Sequence, residues 1–167
     1  MDTNFSERLE KAENLAEIFE VVKDATRKSL GDSRAGLMLG LADLGNHPLG
    51  FLGGFFTIGS NIIVMNRIPL QRIKETQPEL YKPYAFHILL HEYLHSLGYI
   101  NERAVRREVH NICEKLLGKE HLATKIASNT ARFFPKLVYP DRAWHPGDLK
   151  IDLVEGFDCS SAMSYIG

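Results

Sequence analysis

Residues 83–98 read Pro-Tyr-Ala-Phe-His-Ile-Leu-Leu-His-Glu-Tyr-Leu-His-Ser-Leu-Gly, and this stretch decides the fold. Pro83 suits the start of a helix, and Gly98 suits its end. Between them Ala85, Phe86, Ile88, Leu89, Leu90, Tyr93, Leu94 and Leu97 place apolar side chains on nearly every side, so the helix must be buried. It is too short to cross a bilayer, which needs about 20 apolar residues. Burial makes three of its residues costly: His91, Glu92 and His95 must be paired or bound to something. They form the pattern H-E-x-x-H. Four-residue spacing puts both imidazoles on one helix face, where they can ligate one metal ion, and Glu92 stands where it can hold a water on that metal. His87 lies one turn earlier on the same side. It reads either as a core histidine with one hydrogen bond or as a group behind the ligands.

The flanking chain supplies what buries this helix. Upstream, Phe5, Leu9, Ala12, Ala16, Phe19 and Val22 recur at helical spacing between an Asn4/Glu7 capping box and Gly31. This predicts one amphipathic helix of about seven turns. Arg34 to Leu44 is short-period and apolar and predicts a buried strand. The glycine-rich residues 45–54 predict a loop, in which His47 reads as an ordinary loop histidine. They lack the endings of a phosphate-binding or dinucleotide-binding loop. Phe55 to Ile58 and Ile62 to Met65 flank Gly59-Ser60-Asn61, a hairpin signal, and Pro69 stops the second strand. Ile62 to Met65 is also a candidate edge for an extended peptide. Residues 70–82 predict a short helix or loop.

Downstream, Asn101 can cap a helix from Glu102 to Leu117 that closes at Gly118, with Val105, Val109, Ile112 and Leu116 as its inward stripe. Helical texture continues through 119–131. Residues 132–158 read as a loop-rich return with one strand near Lys150 to Val154. The whole predicts a single α+β domain, 1–167, with an N-terminal helix, a mixed β-sheet with a hairpin, a buried central helix and a short helical C-terminal part.

Composition narrows the function classes. The chain is 44% hydrophobic and 25% charged, an ordinary globular balance, and its net charge of −1 advertises neither nucleic acid nor an anionic membrane as partner. Cys113 and Cys159 are too few for a disulfide framework and read as free thiols in a reducing compartment. The charged N-terminal stretch has no apolar signal core. The expected location is cytoplasmic.

Residues 91–102, HEYLHSLGYINE, resemble the active-site signature of zincin metallopeptidases, and more narrowly the H-E-x-x-H-x-x-G-x-x-H of metzincins. His91, Glu92, His95 and Gly98 fall on pattern positions. Ser161-Ala-Met-Ser-Tyr165 is similar to the metzincin Met-turn, and Tyr165 matches a tyrosine that helps hold the transition state in that family. One position departs: Asn101 stands where the third histidine belongs, and an amide oxygen is a poor zinc ligand. By helical phase Glu102 sits on the inward edge of the following helix, near His95. Two histidines with a glutamate from a following helix are the ligand set of gluzincins. Glu102 is thus the candidate third ligand, with Asn101, Glu108, His110 and Cys159 as alternatives.

The resemblance implies a small zincin-like domain holding Zn2+ through His91, His95 and Glu102. It also implies a peptidase that hydrolyses a polypeptide substrate with Glu92 as general base and Tyr165 assisting. Two other readings stand beside it. H-x-x-L-H-x-x-G-Y also resembles a bacterial endoribonuclease family, although that family has glycine where this chain has Glu92. A non-catalytic metal-binding protein would explain Asn101 as the mark of a degraded site.

Overall fold

The structure is a computed structural model that describes residues 4–44, 50–139 and 149–156. Its architecture is α+β, as the sequence predicts. Among the described residues there are seven α-helices, a mixed four-stranded sheet and a separate strand pair.

The N-terminal region departs from expectation. In place of one long helix there are two, α1 (Phe5–Lys11) and α2 (Leu15–Leu30). The cause is a second capping signal inside the same amphipathic run. The Asn14 side chain accepts from the Glu17 backbone N–H at 2.9 Å, repeating what Asn4 does for Glu7. Ala12 leaves the helix in an extended conformation, and Gly31, at φ 70°, closes α2.

The sheet is built from β1 (Met38–Ala42), β3 (Gly54–Phe56), β4 (Ile62–Asn66) and β6 (Asp152–Leu153); β2 (Phe51–Leu52) pairs in parallel with β5 (Leu137–Val138). The order is β3-β4-β1-β6. β3 and β4 form the predicted antiparallel hairpin, while β1 runs parallel to β4 with Leu39 opposite Ile63. β4 is therefore an interior strand, and the expectation that Ile62 to Met65 offers a free edge is wrong. Pairing on both sides consumes its hydrogen bonds, leaving β3 and β6 outermost. The predicted loop 45–54 is also partly strand, since β2 and the start of β3 lie in it; residues 45–49, with His47, fall outside the described residues.

After β4 come α3 (Arg67–Thr76), a 3-10 turn at Pro78–Leu80, and α4 (Tyr81–Ser96). Pro83 lies in the first turn of α4 rather than at its first residue, where its missing N–H still costs nothing. Every residue from Pro83 to Leu94 is buried. α4 packs on α2, on β3, on α5 (Glu102–Leu117) and on α6 (Leu122–Ser128); α7 (Thr130–Phe133) follows α6. Two glycines let the sheet come this close. A Cβ on Gly53 would meet the Ile88 side chain at 2.7 Å, and one on Gly54 would meet it at 3.3 Å. Among the described residues no helix is long and apolar enough to cross a membrane. Cys113 is a buried free thiol, pushed up to about 12 by desolvation.

Candidate metal centre

The last turns of α4 and the first turn of α5 meet around one point. Three turns of buried helix fix His91 and Glu92, which are 1% and 3% exposed. α4 then stops abruptly. Gly98, at φ 105°, adopts a left-handed conformation that other residues rarely take, and the chain turns back on itself. Asn101 caps α5 by accepting from the Ala104 N–H at 2.9 Å. Its amide oxygen is thereby committed to the backbone, and the metzincin-like third position takes no part in the cluster. The cap instead delivers the next residue, Glu102.

Three donor atoms converge. His91 Nε2 lies 3.3 Å from His95 Nε2 and 3.4 Å from Glu102 Oε1, and His95 Nε2 lies 2.7 Å from Glu102 Oε1. A tetrahedral zinc with bonds of about 2.0–2.1 Å sets its ligand atoms about 3.3 Å apart. Two edges of this triangle have that length and the third is shorter, so the three residues fit a metal with little movement. His91, Glu92 and His95 also bring one ligand atom each within 4.8 Å of one another.

Protonation in the metal-free site points the same way. The His95 Nδ1–H donates to the Tyr99 carbonyl at 2.8 Å, and Nε2 faces the Glu102 carboxylate. Acceptors at both nitrogens favour the doubly protonated ring. Burial alone would lower the pKa of His95, but the Glu102 hydrogen bond and the Glu92 and Glu102 charges outweigh it and raise the pKa. Burial likewise opposes ionisation of Glu102, yet hydrogen bonds from His91 and His95 hold its carboxyl well below the usual carboxylate range. Glu92 moves the other way: desolvation raises its pKa, partly offset by His91 and His95, with Glu102 adding to the rise.

One residue that the sequence does not single out belongs here. The Tyr139 ring stacks on His91 at 4.3 Å between centroids and 20° between planes, and its hydroxyl is 2.7 Å from His87 Nε2. Its only sequence signal is a short β-prone run, Leu137 to Tyr139, inside a stretch that otherwise reads as loop. His87 itself is a buried core histidine with that one hydrogen bond. Burial, followed by the His91 and Arg106 charges, lowers its pKa to about 3. His110 pairs with Glu114 at 3.5 Å, and neither it nor the half-buried Glu108 joins the group of close ligand atoms among the described residues. Cys159, the Met-turn-like Ser161 to Tyr165 and the Tyr165 hydroxyl lie outside the described residues. Comparison with protein-family models, curated proteins and solved structures finds no match for this chain. The case for the site therefore rests on its own geometry.

Proposed function

We propose that this chain is a zinc-dependent peptidase of small zincin type, with His91, His95 and Glu102 as metal ligands and a polypeptide as substrate. The observation that carries the proposal is the convergence of those three donor atoms beside a fully buried fourth group, Glu92. Two imidazoles and one carboxylate are a donor set that catalytic zinc favours, and three protein ligands leave a position open. When bound, zinc supplies a Lewis acid that polarises a substrate carbonyl and lowers the pKa of water. Glu92 takes the proton of the attacking water as the oxygen adds to the carbonyl carbon. It then delivers that proton to the amine nitrogen as the C–N bond breaks. Desolvation of Glu92 strengthens it as a base by raising its pKa towards the working range.

The test combines metal content with cleavage of an unfolded polypeptide by the wild type and Glu92→Gln. Both should carry about one zinc per chain, and only the wild type should cleave. Equal cleavage by the two would overturn the mechanism. Stoichiometric zinc without cleavage would favour a non-catalytic metal-binding protein.

A further inference from the structure

Metal-ligating histidines are usually held by a partner on the ring nitrogen that does not face the metal. His95 follows this rule through Nδ1 and the Tyr99 carbonyl. His91 does not. Its Nδ1 is buried and has no hydrogen-bond partner among the described residues. Its ring is held by a face instead, the near-parallel Tyr139 ring at 4.3 Å.

We infer that Tyr139 is a positioning residue of the metal site, fixing the His91 imidazole through its face so that Nε2 stays aimed at His95 and Glu102. The inference rests on the metal-site reading given above and adds a residue to it. Tyr139 can act this way because it is itself pinned. Its hydroxyl is hydrogen-bonded to His87 Nε2 at 2.7 Å, and its backbone follows directly on β5, which is paired with β2. The Arg106 guanidinium lies 4.3 Å from the Tyr139 centroid, and Arg106 Nε is 3.8 Å from Glu102 Oε2. One cation therefore touches both the positioning ring and the carboxylate ligand. The division of labour is specific: the flat ring holds His91, and the hydroxyl only holds the ring.

That division separates positioning from mere packing. A packing residue would change stability alone, whereas a positioning residue changes metal affinity and coordination geometry. The full-length wild type, Tyr139→Phe and Tyr139→Leu are compared by zinc competition against a chromophoric chelator. The visible spectrum of the cobalt(II)-loaded protein and the melting temperature of the metal-free protein are recorded alongside. Tyr139→Met fills the same space without a flat face and stands in should the leucine variant fail to fold. Tyr139→Phe should bind zinc within about twofold of wild type with the same cobalt spectrum, and melt lower because His87 Nε2 loses its partner. Tyr139→Leu and Tyr139→Met should bind zinc about tenfold more weakly, the scale of loss expected for an outer-shell partner, with an altered cobalt spectrum. Wild-type affinity in the leucine and methionine variants would overturn the role of Tyr139 and leave the metal site standing. A phenylalanine variant as weak as the leucine one would overturn the assignment to the ring. A wild type that binds no zinc would overturn both this inference and the metal site.

Discussion

His95 Nε2 and Glu102 Oε1 stand 2.7 Å apart although they belong to different helices. The contact depends on the turn between them. Gly98 takes a left-handed conformation, its N–H donates to the His95 carbonyl at 3.0 Å, and Asn101 starts α5 at the point where Glu102 faces back. Neighbours in sequence, Asn101 and Glu102 divide two tasks between them: the first caps the helix, and the second reaches the histidines.

Substitution separates those tasks. Glu102→Ala should weaken zinc binding by more than the roughly 10–100-fold that loss of an outer-shell partner costs. Asn101→Ala should weaken zinc binding far less than Glu102→Ala does, and cost about 1 kcal/mol of stability through loss of the cap. Competition titrations with zinc and denaturant midpoints measure the two effects. Stoichiometric, unweakened zinc in Glu102→Ala would remove it from the ligand set.

The same pair sets a pH dependence in metal-free protein. The folded-state pKa of His95 is raised above 6.5, chiefly by Glu102 and against the effect of burial. Its contribution to stability is therefore complete below pH 6.5 and is lost as pH rises through the raised value. Glu102 is depressed below 4.5, so its contribution is present above that value and lost as pH falls. Histidine resonances followed by NMR should show His95 titrating above 6.5, and Glu102→Gln should bring that titration down. Zinc affinity should rise with pH over the same range, because binding displaces the His95 proton. An affinity independent of pH there would contradict the arrangement.

His87 has the opposite sign. Its folded-state pKa is lowered to about 3 by burial and by the neighbouring His91 and Arg106 charges. The unfolded chain therefore binds the extra proton first. Stability attributable to His87 is complete above pH 6.5 and is lost progressively as pH falls towards 3. One such proton corresponds to about 1.4 kcal/mol per pH unit within that window. His87→Gln should flatten the acid limb by about that slope, read from urea midpoints of metal-free protein at pH 7, 6 and 5. An unchanged slope would mean that His87 is already charged in the fold.

What the sequence makes legible is what local chemistry enforces. The bounds of α5 follow from a capping asparagine and a closing glycine, and the β3–β4 hairpin from Gly59-Ser60-Asn61 between apolar runs. Burial of α4 follows from its all-round apolar surface. The approach of Glu102 to His95 is legible from helical phase because Glu102 lies so near the Gly98 turn. Non-local pairing is not legible in this way. Nothing in Ile62 to Met65 says that Met38 to Ala42 will pair along its second edge, and nothing near Tyr139 says that its ring will settle on His91. The α1–α2 break is a different failure. Asn4/Glu7 and Asn14/Glu17 are equivalent capping signals, and an unbroken apolar period concealed the second.

The approach of the sheet to α4 gives the last prediction, and it concerns the scaffold rather than the ligands. Gly54 opens β3, and a Cβ there would stand 2.6 Å from the Val64 carbonyl oxygen and 3.3 Å from Ile88 Cγ2. The first of these is backbone within the hairpin, which cannot rotate away as the end of a flexible side chain can. Gly54→Ala must therefore separate β3 from β4 or move both off α4, and overpacking of this kind costs about 1–3 kcal/mol. Gly59 and Gly118 have open space around the corresponding position, but each has positive φ, so alanine there tests backbone strain and not crowding. Gly54→Ala should lower the denaturant midpoint by the corresponding amount. If Gly54→Ala is as stable as wild type, β3 does not lie against β4 and α4 as closely as described.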